Sequence, residues 1–98
     1  MANGREVILP EARKEAAQRL TRIEGQIKGI RKMVEEGRYC VEVLGQISAV
    51  QEALRGVGKL VMRNYLENCV TSSLRSGSRM KAEETYGELM DVIYKFAK

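Results

Sequence analysis

Apolar residues recur along this chain at alternating intervals of four and three, a rhythm that divides it into three helical stretches. Over about residues 10–36, Ala16, Leu20, Ile23, Ile27, Ile30 and Val34 keep the spacing and form a coiled-coil-like seam on an otherwise charged circumference. Over 40–74 the rhythm returns in Val43, Ile47, Val50, Leu54, Val57 and Val61, with no proline to interrupt it. A third helix, 80–96, gathers Tyr86, Leu89, Met90, Ile93 and Ala97 on one face. The breaks are short, Gly37-Arg38-Tyr39 and Arg75-Ser76-Gly77-Ser78, so the first two helices must fold back as an antiparallel hairpin. Pro10 and Glu11 suit a first helical turn, and Gly37 suits a helix stop. Residues 1–9 carry no such pattern and read as a flexible N-terminal arm, which leaves 10–98 as a single all-α domain.

That domain is short of material for a core of its own. Among 98 residues there is one phenylalanine and no tryptophan, so the apolar faces predict burial against another copy of the chain. Charge adds a second pointer. Lysine and arginine exceed the acids by 17 to 13, and nine of the basic residues against six acidic ones come by Cys40. A front-loaded positive balance fits a polyanion. Arg13, Arg19, Arg22, Lys28, Arg31 and Lys32, with Arg55, Lys59 and Arg63, are the cations that could line a phosphate-binding surface. A solvated charged helix face carries the same letters, and no helix-turn-helix or zinc-finger pattern is present.

Enzyme chemistry is poorly provided for. The chain has no histidine, no phosphate-cradling glycine loop and no nucleophile elbow, so it reads as a non-enzyme. No apolar run is long enough for a signal peptide or a membrane span, and the expectation is a cytoplasmic protein with reduced thiols.

Those thiols are the remaining reactive groups. Cys40 and Cys69 stand 29 residues apart at the two ends of the second helix. On a straight α-helix that is about eight whole turns, which puts both on nearly the same face but roughly 43 Å apart. One copy cannot bring them together. Two helices packed antiparallel about a two-fold axis set Cys40 of one beside Cys69 of the other, and make the site twice. Cys40 stands at the positive end of its helix, beside Arg38, and reads as an attacking thiol; Cys69, near Glu67 at the other end, reads as the resolving one. Two small buried hydrophobes would explain the same residues, and Tyr65, one turn before Cys69, would serve as packing with a wet hydroxyl.

The run RLTRIEGQIKGIRKMVEEGRYCVEVLGQISAVQEAL, followed by NYLENCV, resembles the CsoR/RcnR/FrmR family of small helical bacterial repressors. The resemblance spans Arg13 to Ile93, with RIEGQ, YC and QISAVQ as its most specific pieces. It implies a three-helix protomer, an antiparallel helical-hairpin dimer and a dimer of dimers. It also implies binding of operator DNA, with release when an effector fills a site between protomers. Copper(I) sensors of the family resemble one another in a Cys, His, Cys set; here the cysteines match Cys40 and Cys69, but the histidine position is Tyr65. Two cysteines without histidine resemble the persulfide-sensing branch often called CstR, which implies that Cys40 and Cys69 react with per- or polysulfide and that no cofactor is needed. Tyr39 and Glu88 match the residues that surround the copper site in copper-sensing members, and a copper(I) site on the two thiolates is the alternative. The arginine used for DNA matches Arg19, and Arg22, Arg55 and Lys59 are added on charge.

Overall fold

The computed structural model describes residues 8–96. Its regular structure is helical throughout: α1 Pro10–Glu35, α2 Cys40–Asn64, a π-helical stretch Tyr65–Val70, α3 Thr71–Arg75 and α4 Arg79–Phe96. Among the described residues there is no strand. The outer ends of the three expected helices fall within a residue of the positions read from the pattern, inside the ordinary spread of helix boundaries. Most of the expected N-terminal arm, residues 1–7, and Ala97 of the expected third-helix face lie outside the described residues.

The expected second helix is corrected. The second helix does not run as a single α-helix from Cys40 to about Leu74, because Tyr65–Val70 adopts the wider i→i+5 pattern. Counting at 3.6 residues per turn therefore fails beyond Asn64, and with it the arithmetic that set Cys69 in line with Cys40. Sequence periodicity gave no warning. The apolar rhythm ends at Val61, before the altered register begins.

The chain divides into two compact units, Leu9–Met62 and residues 63–96. In the first, α1 and α2 form the expected hairpin. Its turn is closed by the Arg38 N–H on the Met33 carbonyl (3.0 Å) and the Gly37 N–H on the Val34 carbonyl (3.1 Å), with Gly37 at φ +71°. This is a Schellman stop, and glycine fits because a side chain there would strain the left-handed backbone.

Only half of the apolar seam is used inside this unit. Ala16 and Ile23 of α1, 5% and 4% exposed, cluster with Val50 and Val57 of α2, and Ile30, Ala53, Leu60 and Val61 pack against them. The alternate row lies outside: Leu20 is 41% exposed, Ile27 50% and Val34 60%, with Ile47, Leu54 and Leu44 also exposed on α2. One row of each heptad meets within the chain and the other faces outward, the arrangement of a hairpin with a second apolar face.

In the second unit, Val70 is buried and side-chain hydrogen bonds join α3 to α4. The Ser73 hydroxyl donates to the Lys81 carbonyl at 3.0 Å and lies 2.5 Å from the Thr85 hydroxyl, pinning α3 to α4. Ser78 caps α4, its hydroxyl accepting from the Lys81 N–H at 3.2 Å. The inward side of α4 is Ala82, Thr85, Leu89 and Val92, all half-buried. This corrects the expected face, since Tyr86, Met90 and Ile93 are exposed.

Candidate functional site

Cys40 is the first residue of α2 and is exposed. The turn delivers it there: the Tyr39 carbonyl accepts the Glu42 and Val43 N–H groups at 3.0 and 3.2 Å, which opens the helix immediately around the cysteine. Tyr39 itself turns its ring to solvent. Arg38, expected as the cationic neighbour of Cys40, has its Nε 3.2 Å from Oε1 of Glu42, so a carboxylate answers its charge.

Cys69 lies in the second unit, half-buried within the π stretch. Tyr65 opens that stretch, and its hydroxyl donates to Oε1 of Glu88 on α4 at 2.8 Å. The two positions that the family pattern places around an effector are thus joined here by a phenol-to-carboxylate bond. Hydrogen bonds to an ionised group are stronger than neutral ones, although the exposure of Glu88 moderates this one. Of the residues expected at the effector site, the chain brings Tyr65 and Glu88 into contact and sets Tyr39 next to Cys40, while Cys40 and Cys69 fall in different units.

The thiols available to a metal are Cys40 and Cys69. No group of three or more His, Cys, Asp or Glu side chains able to hold a metal ion occurs among the described residues. A phenol is a hard oxygen ligand and a poor replacement for imidazole toward copper(I), so Tyr65 adds no soft donor to the two thiols.

The cations form a separate region on α1 and α2. Arg19 is half-buried, with Nη2 held 2.6 Å from Oε2 of Glu15 one turn earlier. Its Nη1 lies 3.6 Å from where a Cβ on Gly56 would stand, so the guanidinium rests against α2 in the space the glycine leaves. Arg22, Arg55 and Lys59 are exposed. A surface groove of about 550 Å³ is lined by Glu11, Lys14, Glu15, Gln18, Arg19 and Arg22, mixing both signs of charge. Sequence reasoning missed Glu15 and Gly56. The first was visible as a carboxylate four residues before Arg19; the second needed the packing of the hairpin.

Residues 12–95 match the family described as metal-sensitive transcriptional repressor. The chain belongs to this family. The metal-sensitive repressors similar to it include the copper-sensing transcriptional repressor CsoR of Bacillus subtilis (strain 168), 46% identical over 80 residues that span 82% of this chain and 76% of that protein. Among solved structures, the copper-sensing repressor CsoR with Cu(I) from Geobacillus thermodenitrificans NG80-2 superposes with a TM-score of 0.85, at 44% identity over 96% of this chain and 95% of that one. The nickel-responsive transcriptional regulator InrS also matches, with a TM-score of 0.72 and 36% identity over 85% of this chain and 90% of that one. The protein is therefore a transcriptional repressor and not an enzyme. These two relatives of one fold are named for different metals.

Proposed function

We propose that this protein is an effector-responsive repressor that holds operator DNA through Arg19, Arg22, Arg55 and Lys59 and releases it when Cys40 of one protomer and Cys69 of another take up a thiophilic effector. The observation that carries the reading is the pair of cysteines in a chain of this family that has no histidine. The exposed row Leu20, Ile27, Val34, Ile47 and Leu54 supports self-association, as a homodimer and then a homotetramer, because a monomer would leave that row in water. An antiparallel partner is the arrangement that puts thiols from opposite helix ends side by side. A repressor acting on DNA in this way works in the cytoplasm. No helix among the described residues is long and apolar enough to cross a membrane.

Copper(I) is the effector that the names of the relatives favour. Cys40 and Cys69 would hold it as thiolates, soft donors suited to this ion, with Tyr39, Tyr65 and Glu88 around them. Binding releases the thiol protons and draws two helix ends together. If that geometry disfavours the DNA-bound form by a few kcal/mol, occupancy empties the operator.

A second reading is favoured by Tyr65, which takes the place of an imidazole and is bonded to Glu88. In it the effector is a per- or polysulfide. Cys40 thiolate attacks the sulfane sulfur of RS–SH, forming Cys40–S–SH and expelling RS⁻; Cys69 thiolate then attacks the Cys40 sulfur, forming a disulfide between protomers and expelling HS⁻. The reactive sulfur species is the oxidant, so no other is required.

The test sets the two against each other. Operator affinity and intact mass are measured after copper(I) and after tetrasulfide in parallel. A metal adduct with loss of DNA binding supports copper, and a dimer band on non-reducing gels, with the mass of two chains joined by a disulfide and returned to monomer by thiol reductant, supports persulfide. DNA affinity unchanged by both would overturn effector release at these thiols.

A further inference from the structure

The stretch that carries Cys69 is the one part of the described helices that abandons the α pattern, and two side chains are built onto it in matching fashion. The Thr71 N–H reaches back five residues to the Leu66 carbonyl, and the Thr71 hydroxyl donates to the same oxygen at 2.8 Å. At the other end, Asn68 Nδ2 donates to the Asn64 carbonyl at 3.0 Å, with the Asn64 Oδ1 at 3.4 Å. Asn64 is buried, so its polar atoms have no bulk water to turn to. An α-helix needs none of these bonds. Widening a turn shifts which N–H meets which carbonyl, and here the Leu66 carbonyl takes both the N–H and the hydroxyl of Thr71, while the Asn64 carbonyl takes the Asn68 amide.

We infer that Asn68 and Thr71 are positioning residues that hold Tyr65–Val70 in the π register and thereby set where the Cys69 thiol sits. Neither touches an effector in this scheme; both act through the backbone of the turn that presents Cys69. The register has a second anchor, since Tyr65 begins the stretch and its hydroxyl is tied to Glu88 on α4. Returning the turn to the α pattern removes about one residue from it and rotates its two ends relative to each other by roughly 100°. Tyr65 and α3 cannot both keep their present contacts through such a rotation. The Tyr65–Glu88 bond and the placement of Cys69 are therefore linked through the register. This rests on the proposed role of Cys69 for its functional meaning, but not for its test.

The test uses the full-length protein with Thr71→Val, which keeps the branched shape and removes the hydroxyl, and Thr71→Ser, which keeps the hydroxyl. Amide hydrogen exchange over 66–71 and the alkylation rate of Cys69 by N-ethylmaleimide are read, with Cys40 and the α1 amides as internal controls. In Thr71→Val, exchange is expected to quicken roughly three- to tenfold, the factor given by losing one net hydrogen bond, and Cys69 alkylation to change by a similar factor. Thr71→Ser restores both, and the controls do not move. Asn68→Leu gives the same pattern by an independent route. Unchanged exchange and alkylation in both Thr71→Val and Asn68→Leu would overturn the inference. Neither readout involves metal, sulfur donor or DNA, so a protein that ignores every effector defeats the proposed function and leaves this result standing by itself.

Discussion

The Tyr65 hydroxyl donates to Oε1 of Glu88 across 2.8 Å, joining the start of the π stretch to the middle of α4. The resemblance to copper-sensing members of the family sets the tyrosine at their histidine position and the glutamate among the residues around their site. In this chain the two satisfy each other. Tyr65→Phe removes the donor without changing shape, and the expected cost is about 0.5–1.5 kcal/mol of folding stability, the lower end applying if solvent replaces the bond at Glu88. Chemical denaturation of the two proteins measures it.

Tyr65→His should alter the metal chemistry more than the stability. It adds an imidazole to two thiolates and completes a trigonal soft site, so copper(I) affinity is expected to rise by at least about tenfold in competition with a chelator. An unchanged affinity would mean that position 65 does not face the bound ion.

Arg19 is the arginine proposed to contact DNA, and Glu15 holds its guanidinium at 2.6 Å. Arg19→Ala is expected to weaken operator binding and to reduce the slope of log affinity against log salt by about 0.9, one phosphate contact. Glu15→Gln frees the guanidinium from a competing carboxylate and should strengthen binding. If Glu15→Gln weakens it instead, the carboxylate orients Arg19 for DNA and does not compete with it.

The two rows of the apolar seam predict opposite phenotypes. Ile23 is buried in the hairpin, and Ile23→Ala should cost about 2–5 kcal/mol in unfolding free energy. Ile27, half-exposed one turn away, faces outward, and Ile27→Asp should leave the hairpin helical while lowering the assembly mass in light scattering. Loss of helicity in Ile27→Asp with the assembly retained would assign that row to the protomer core.

Much of this fold was legible because helices announce themselves through spacing. The rhythm from Ala16 to Val34 and from Val43 to Val61 located α1 and α2, and Gly37 located the turn between them. Spacing gives a seam but not its partner, so it could not say that Ile23 would be buried inside the chain and Ile27 left outside. The π stretch escaped because it is fixed by Asn68 and Thr71 bonding to backbone carbonyls, a local contest that hydrophobic periodicity does not register. At the candidate site, Cys40, Cys69, Tyr65 and Glu88 were all named from sequence. The Tyr65–Glu88 bond was not, since it joins residues 23 apart through the docking of α4. Arg38 was read as a neighbour of Cys40 with its charge available, and Glu42, four residues on, was overlooked as its partner.

Effector release as proposed requires thiols from two chains to meet, and a heterodimer tests that directly. Differently tagged Cys40→Ser and Cys69→Ser chains are co-assembled, and the mixed dimer is isolated through both tags. An antiparallel pair of this kind holds one complete Cys40/Cys69 site and one double-serine site. The mixed dimer should therefore take up copper(I), or form the interchain bridge with tetrasulfide, at one site per dimer, while neither parent homodimer does either. A mixed dimer as inert as its parents would contradict the account.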